Sequence, residues 1–187
     1  MRLFLAINLP PEERRAIRRA TGPMRDAAAG IAWVPEERLH LTMKFLGEQP
    51  DGAVPPLRDA LSDAVGGGRP IEMRLGGLGA FPNLRAPRVV WMGVEQEPRL
   101  ELLQDDVERA CHELGYELDG RAFRPHITLG RARDHVRRET ARALADAART
   151  VHYASSVLAR TLDLMASELG AEGARYRVLA AIPLGGS

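Results

Sequence analysis

A short pattern that occurs twice constrains the fold of this chain more than any other feature of its sequence. The residues HLTM begin at His40 and the residues HITL begin at His126, so the two copies lie almost half of the 187-residue chain apart. In a β-strand the side chains alternate between the two faces, which places the histidine and the threonine of each copy on the same face. The repeat therefore predicts two related halves, each with an imidazole beside a hydroxyl on a sheet surface.

The distribution of apolar residues predicts strands and helices that interleave without a regular order. A helix beginning at Pro11 is expected to kink or end at Gly22-Pro23, because proline disrupts the helical hydrogen-bond pattern. No glycine-rich turn links a strand to a helix. This favours an α+β fold with largely antiparallel sheets flanked by helices over a doubly wound nucleotide-binding fold. The predicted strands are 3–9, 40–46, 71–78, 89–94, 123–131, 157–167 and 176–184, and the other predicted helices are 55–65, 100–114 and 136–148.

The composition is typical of one globular domain covering residues 1–187. Hydrophobic residues make up 45% of the chain, which is enough to build a core, and charged residues of both signs make up 27%. The formal net charge is +1, so any contact with nucleic acid is expected to be local rather than spread over the surface. Lys44 is the only lysine among 26 basic residues. Codon bias explains such an excess of arginine, although arginine is also well suited to gripping phosphate.

The sequence predicts a cytoplasmic protein without a disulfide or a membrane anchor. Cys111 is the only cysteine and falls near the apolar face of a predicted helix, where a buried, unreactive thiol is expected. The apolar run at the N-terminus ends at Asn8, which is too short for a signal peptide. No segment has the roughly 18 consecutive apolar residues that a membrane-spanning helix needs.

Two histidine–threonine pairs that face each other across a cleft suit chemistry at a phosphodiester. A neutral imidazole takes a proton from an attacking water while a protonated imidazole donates one to the departing oxygen. Threonine hydroxyls orient the phosphoryl oxygens, so neither a metal nor another cofactor is required. A structural role for each histidine is the simpler alternative, but two matched copies on predicted strands disfavour it. A catalytic zinc site is a poorer interpretation, because no third ligand motif accompanies the histidines.

Several segments resemble the two-histidine phosphoesterase superfamily, and within it the RNA 2′,3′-cyclic phosphodiesterases, formerly called 2′-5′ RNA ligases (LigT-like). The sequences HLTMKFLG from His40 and HITLGR from His126 are similar to the paired signatures of that family. The segment after Arg133 carries the weakest likeness. The other segments that are similar to the family are RLFLAI from Arg2, GAFP from Gly79, RVVWMG from Arg88 and FRP from Phe123.

The resemblance implies a single domain of two pseudo-symmetric lobes, with both HxT motifs in a central groove. It also implies hydrolysis of an RNA-terminal 2′,3′-cyclic phosphate to a 2′-phosphomonoester, which requires the P–O3′ bond to break. His40 is then the proton donor to O3′ and His126 the proton acceptor from water, an order that the nearly equivalent motifs do not themselves decide. The resemblance further implies that Thr42, Thr128 and Arg131 bind the phosphate.

Two residues next to the motifs raise a question of strand geometry. Arg131 has the opposite strand parity to His126, so a strand end or a twist must turn it toward the groove. Lys44 has the same parity as His40, which places it either in the groove or, as a solvated side chain, at the groove rim.

The expected partners are RNA ends that carry a 2′,3′-cyclic phosphate, or small cyclic nucleotides. Phe4, Phe45 and Trp91 are candidates for stacking an RNA base, although core packing is the expected role for most of them. No protein partner is predicted, and a monomer is expected.

Three alternative functions remain open at this point. The first is a 2′-5′ RNA ligase, which runs cyclic-phosphate opening backwards with an RNA hydroxyl in place of water. The second is a phosphodiesterase for another small cyclic phosphate. The third is a module that binds RNA ends or nucleotides without turnover, although such a module has no need for two proton-transfer groups.

Overall fold

The computed structural model describes residues 1–170 and 173–185, and this part of the chain contains nine β-strands and five α-helices. The strands are β1 (Arg2–Asn8), β2 (Ile31–Trp33), β3 (His40–Glu48), β4 (Ile71–Phe81), β5 (Val89–Val94), β6 (His126–Ala132), β7 (Ala154–Ala159), β8 (Thr161–Gly170) and β9 (Gly173–Pro183). The helices are α1 (Pro11–Ala20), α2 (Gly22–Ala27), α3 (Val54–Val65), α4 (Pro98–Glu113) and α5 (Arg138–Thr150).

All nine strands belong to one antiparallel sheet with a local two-fold arrangement at its centre. The strand order is β7-β4-β5-β6-β3-β1-β8-β9, and β2 pairs with β6 off this path. The central strands β3 and β6 are joined through Leu41 and Ile127, which occupy the same position in the two motifs. Such a self-matching pair is what two-fold symmetry produces. The α+β, largely antiparallel fold is therefore confirmed, with the two halves meeting at the motif strands.

Side-chain alternation in β1 separates the two faces of the sheet. Its odd-numbered residues Leu3, Leu5 and Ile7 point into the main core, which the helices complete with residues such as Ile17 and Leu103. Phe4 and Ala6 point to the opposite face, where they form a small separate cluster with Met165. The helices therefore pack on one face and leave the other to form the groove. Within the described residues, no helix is long and apolar enough to span a membrane.

The predicted elements are largely confirmed, with one substantial correction. The expected single strand 157–167 is two strands, β7 and β8, which belong to different halves of the sheet. The chain leaves β7 and enters β8 at Arg160, in a segment without glycine or proline, so no local signal marks the break. The three-residue strand β2 was not predicted. The helix break expected at Gly22-Pro23 is confirmed, because α1 ends at Ala20 and α2 begins at Gly22.

A β-bulge in β3 overturns both positions expected for Lys44. Successive residues of β1 pair with residues 42 and 44, so Met43 is the extra residue of the bulge. A bulge shifts the alternation of side chains by one position, and Met43 and Lys44 consequently are both buried. Lys44 does not lie in the groove or at its rim. Its Nζ atom lies 2.8 Å from Oε2 of Glu108 and donates to the carbonyl oxygen of Glu117, also at 2.8 Å.

An equivalent bulge in β6 turns Arg131 toward the groove. Successive residues of β5 pair with Thr128 and Gly130, so Leu129 is the extra residue. Leu129 and Gly130 are both buried, and Arg131 returns to the face of the motif histidine. The same shift in β3 places Phe45 at the position equivalent to Arg131. Phe45 is 67% exposed, which corrects the expectation that it packs in the core.

The hairpin of β8 and β9 curls back over the half that carries His40. The Nη1 atom of Arg38 donates to the carbonyl oxygen of Ala174 at 2.7 Å, and its guanidinium carbon lies 5.7 Å from the ring centroid of Tyr176. The Tyr176 ring in turn lies 5.6 Å from the imidazole of His40. Strand β9 thereby forms part of the groove wall.

We expect Lys44→Met to lower the free energy of unfolding by about 3–5 kcal/mol, because the buried carboxylate of Glu108 loses its partner. Adding Glu108→Leu removes the second charge and is expected to recover most of this loss, as measured by urea denaturation. The control Arg58→Met breaks an exposed ion pair with Asp59 and is expected to cost less than about 1 kcal/mol. A Lys44→Met variant as stable as the original protein would contradict a structural role for the buried pair.

Candidate active site

His40 begins β3, and both of its ring nitrogens are held in place. Its Nδ1 atom lies 2.7 Å from the carbonyl oxygen of Arg38, and its Nε2 atom lies 3.1 Å from Oγ1 of Thr42. A carbonyl oxygen can only accept a hydrogen bond, so Nδ1 carries the proton in the neutral ring. The Nε2 atom then accepts from the threonine hydroxyl, and it is the ring nitrogen available for proton transfer.

His126 begins β6 and is oriented by the same kind of bond. Its Nδ1 atom lies 2.7 Å from the carbonyl oxygen of Arg124, again two residues upstream. Within residues 1–170 and 173–185, no hydrogen bond joins His126 to Thr128. The Nε2 atom of His126 is therefore the less restrained of the two. Since arginine precedes each histidine by two positions, the sequence repeat is longer than the HxT motif and already contained a signal for these carbonyl contacts.

Strand pairing brings the four motif side chains together. Because Leu41 pairs with Ile127 in an antiparallel ladder, the position of His40 lies opposite Thr128 and that of Thr42 lies opposite His126. Neighbouring strands are about 4.8 Å apart, so the two imidazoles and the two hydroxyls border one small volume. The sequence prediction placed these residues across a cleft, and the structure places them on directly adjacent strands.

Aromatic rings surround both imidazoles. On the first half, the ring centroids of Phe4 and Tyr176 lie 5.1 Å and 5.6 Å from that of His40. On the second half, Phe81 and Trp91 lie 5.1 Å and 6.5 Å from the other imidazole. Tyr176 and Phe81 were not predicted as site residues. Phe81 belongs to the GAFP segment that carries the family likeness, whereas nothing in the sequence near Tyr176 indicates its contact with a histidine.

Burial and charge lower the pKa of both motif histidines. Desolvation is the largest cause at His40 and at His126, and it moves the pKa of each ring below the ordinary value of 6.5. The bonds to the carbonyls of Arg38 and Arg124 oppose this shift, and the guanidinium of Arg131 adds to it at both rings. One guanidinium therefore acts on two imidazoles that are both largely neutral at neutral pH. An anion bound between them would raise the pKa of each.

The remaining histidines and the cysteine lie apart from this site. His112, His135 and His152 are exposed, as expected. Cys111 is fully buried, as expected, and burial raises the pKa of its thiol to about 11. In the part of the chain that the structure describes, no three His, Cys, Asp or Glu side chains are grouped as metal ligands.

A shallow trough of about 620 Å³ borders the groove on the side of His126. Its floor includes Gly93, which pairs with His126, and Gly76, which pairs with Gly93. A Cβ atom added to Gly93 would lie 2.8 Å from the carbonyl oxygen of Gly76, so a side chain there would clash with backbone. At the rim, Arg74 and Glu95 form an ion pair of 3.7 Å.

We expect Arg131→Gln to raise the pKa of both His40 and His126, because the neutral amide no longer opposes protonation of either ring. Titration of the ring resonances by NMR measures both values in one experiment. The control Arg133→Gln removes an exposed charge two positions further along and is expected to leave both values unchanged. A shift at only one ring, or at neither, would contradict the electrostatic influence of Arg131 on both imidazoles.

Comparison with known sequences places the chain in a family of RNA-processing proteins. A family model described as the 2′-5′ RNA ligase superfamily matches residues 9–170. The RNA 2′,3′-cyclic phosphodiesterase of Methanothermobacter thermautotrophicus is 31% identical over 176 residues, which cover 94% of this chain and 95% of that protein. The protein of the same name from Geobacillus stearothermophilus is 41% identical over 128 residues. That match covers 68% of this chain and 41% of the relative, so the chain spans about two fifths of that relative's length.

Solved structures give the same result for the fold. The crystal structure of TT0787 of Thermus thermophilus matches with a TM-score of 0.83 at 32% identity and covers 100% of both chains. The structure of Escherichia coli LigT complexed with NADP+ matches with a TM-score of 0.70 at 30% identity, over 98% of this chain and 97% of that one. Because the family model and the archaeal relative both extend over most of the sequence, this chain belongs to the 2′-5′ RNA ligase superfamily.

Proposed function

We propose that the protein hydrolyses RNA-terminal 2′,3′-cyclic phosphates to 2′-phosphomonoesters. The observation that carries this proposal is the matched orientation of the two imidazoles. His40 and His126 each bind a backbone carbonyl through Nδ1, which leaves both Nε2 atoms for proton transfer on adjacent strands. Two proton-transfer groups and a nearby guanidinium are what in-line displacement at a phosphodiester requires. The relatives named RNA 2′,3′-cyclic phosphodiesterase support the choice of substrate.

In the proposed reaction, His126 accepts a proton from water as the water oxygen attacks phosphorus. The P–O3′ bond breaks, and His40 donates its Nε2 proton to the departing O3′ atom, so the phosphate stays on O2′. The order of the two roles follows the family likeness, because the local symmetry of the motifs accommodates either order. His40 ends the cycle neutral and His126 ends it protonated. Exchange of a proton with solvent at each ring restores the starting state.

Thr42, Thr128 and Arg131 are proposed to bind the phosphate. The cyclic phosphate is a monoanion, and its charge next to the imidazoles raises the pKa that burial and Arg131 have lowered. One ring can therefore hold a proton once the substrate is bound, which general-acid catalysis requires. The guanidinium of Arg131 also stabilises the negative charge that develops on the phosphoryl oxygens.

Phe45 is proposed to stack against the base of the terminal nucleotide. Its ring is 67% exposed and lies 6.3 Å from Phe4, which itself contacts the His40 ring. Aromatic side chains commonly hold the unpaired bases of RNA ends. The structure of Escherichia coli LigT complexed with the dinucleotide NADP+ supports nucleotide binding by a protein of this fold.

The site needs only one copy of the chain, because both halves of the sheet supply its residues. We accordingly propose a monomer in which residues 1–187 act as one two-lobed domain. The proposed partner is an RNA end, and the proposed location is the cytoplasm.

We expect His40→Ala and His126→Ala each to lower turnover of an RNA with a 2′,3′-cyclic phosphate end by roughly 10²–10⁴-fold, because each removes one proton-transfer group. Both variants are expected to fold, since neither imidazole belongs to the core, and circular dichroism during heating checks this. The control His112→Ala removes an exposed histidine from α4 and is expected to retain full turnover. Near-normal turnover by either motif variant would rule out paired acid–base catalysis.

We expect Phe45→Ala to lower kcat/KM for a cyclic-phosphate substrate by the equivalent of about 1–3 kcal/mol, since one base loses its stacking partner. Phe45→Tyr keeps an aromatic face and is expected to retain most of the activity. Leu102→Ala, which shortens another exposed apolar residue, serves as the matched control. Equal activity of Phe45→Ala and the control would exclude Phe45 as a base-stacking residue.

A further inference from the structure

A basic cleft lies between the β4–β5 loop and helix α5. Its volume is about 780 Å³. Leu84, Ala141 and Ala145 supply an apolar lining, and one carboxylate, Asp146, is present. The cations that line it are Arg85, Arg138, Arg142 and Arg149. The cleft thus has four guanidinium groups and one carboxylate. This is a local excess of positive charge, because the formal net charge of the whole chain is only +1.

The arginines on α5 form a regular row. Positions 138, 142, 145 and 149 follow each other at spacings of four, three and four residues, which places them on one face of the helix. At a rise of about 1.5 Å per residue, this row is roughly 16 Å long. Ala145 interrupts it with a small side chain and so keeps the cleft open. The row can therefore contact several successive phosphates of an extended strand.

Most of these cations are not neutralised by the protein. Arg149 pairs with Asp146 one helical turn away. Arg85, Arg138 and Arg142 have no carboxylate within ion-pair distance among residues 1–170 and 173–185. All three are exposed, so their charge is available to an external anion.

The β4–β5 loop connects the candidate active site to the cleft. Phe81, whose ring contacts His126, ends β4, and the loop that begins at the next residue supplies Asn83, Leu84 and Arg85 to the cleft. The loop ends where Val89 pairs with both Phe81 and Arg131. The loop therefore links the residue beside His126 to three residues of the cleft, and a strand that follows this loop from the phosphate site over the sheet edge reaches the cleft.

The glycine-floored trough beside His126 offers a second path for RNA out of the groove. The charges that line this trough make it the less favourable path for a polyanion. Its one arginine, Arg74, is paired with Glu95. Glu72 also lies beside it, accepting a hydrogen bond from Ser156 at 2.7 Å. A polyanion gains no net attraction there, whereas the cleft on α5 offers three cations without a carboxylate partner among the described residues.

We propose that the cleft between the β4–β5 loop and α5 binds the sugar–phosphate backbone of the RNA upstream of the reacting end. This inference rests on the proposed function, since it assigns the body of the same substrate. Arg138 and Arg142 contact phosphates and do not take part in bond cleavage. The cleft thereby distinguishes an RNA end from a cyclic mononucleotide, which fills the groove alone.

Steady-state kinetics of the double variant Arg138→Gln/Arg142→Gln test the proposal with two substrates. One is an eight-nucleotide RNA with a 2′,3′-cyclic phosphate end, and the other is a nucleoside 2′,3′-cyclic phosphate. We expect KM for the RNA to rise about tenfold while kcat and the kinetics of the mononucleotide stay unchanged. The slope of log KM for the RNA against the logarithm of the salt concentration is expected to be shallower by about 1.4, because two phosphate contacts with a single strand are lost.

Two controls separate the cleft from a general charge effect. Arg15→Gln/Arg19→Gln neutralises an exposed arginine pair with the same spacing on α1, and Arg74→Gln tests the trough. Both are expected to leave KM for the RNA unchanged. An equal rise in KM for the α1 variant, or a rise for Arg74→Gln alone, would overturn the assignment to the cleft.

Direct binding separates failure of this inference from failure of the proposed function. Fluorescence anisotropy of a labelled eight-nucleotide RNA with a 2′-phosphate end reports binding without turnover. If the original protein hydrolyses neither substrate but the cleft variant binds this RNA about tenfold more weakly, the proposed hydrolysis fails and the cleft assignment holds. If both substrates are hydrolysed and the cleft variant binds and processes RNA normally, the cleft assignment fails alone.

Discussion

The pairing of β3 with β6 through Leu41 and Ile127 is the contact on which the rest of the site depends. It joins equivalent residues of the two motifs, so each half of the sheet contributes its histidine and threonine to the same side. Both apolar residues are fully buried, which fixes the register of the pair. A slip of one residue in either strand would turn the histidine and the threonine of that strand toward the core. The buried contact between Leu41 and Ile127 therefore determines where the polar side chains of the site lie.

Two β-bulges convert this symmetric base into an asymmetric groove. Each bulge follows the motif threonine and brings the residue three positions beyond that threonine to the groove face. In β3 that residue is Phe45, and in β6 it is Arg131. The two residues one position earlier, Lys44 in β3 and Gly130 in β6, also differ between the halves. Lys44 reaches into the core to Glu108, whereas Gly130 leaves room for Ile31 and Trp33, whose side chains a Cβ atom would contact at 2.6 Å and 3.0 Å.

Periodicity and duplication in the sequence were sufficient to predict the fold class and the approach of the four motif residues to one another. Apolar alternation indicates the α+β class and most of the strands, and the repeated motif brings His40, Thr42, His126 and Thr128 to one place. The bulges could not be predicted, because strict alternation assigns Lys44 to the groove and Arg131 to the core. The break at Arg160 and the approach of Tyr176 to His40 were equally out of reach, since both depend on how β8 and β9 curl over the first half.

The central claim is that two imidazoles on paired strands open a cyclic phosphate toward O2′. The most direct measurement incubates the purified protein, in excess EDTA, with a short RNA ending in a 2′,3′-cyclic phosphate, and locates the phosphate of the product by mass spectrometry and nuclease digestion. The account predicts complete conversion to the 2′-phosphomonoester. A 3′-phosphate would contradict the assignment of O3′ as the leaving group. No conversion would contradict hydrolysis by the two histidines alone.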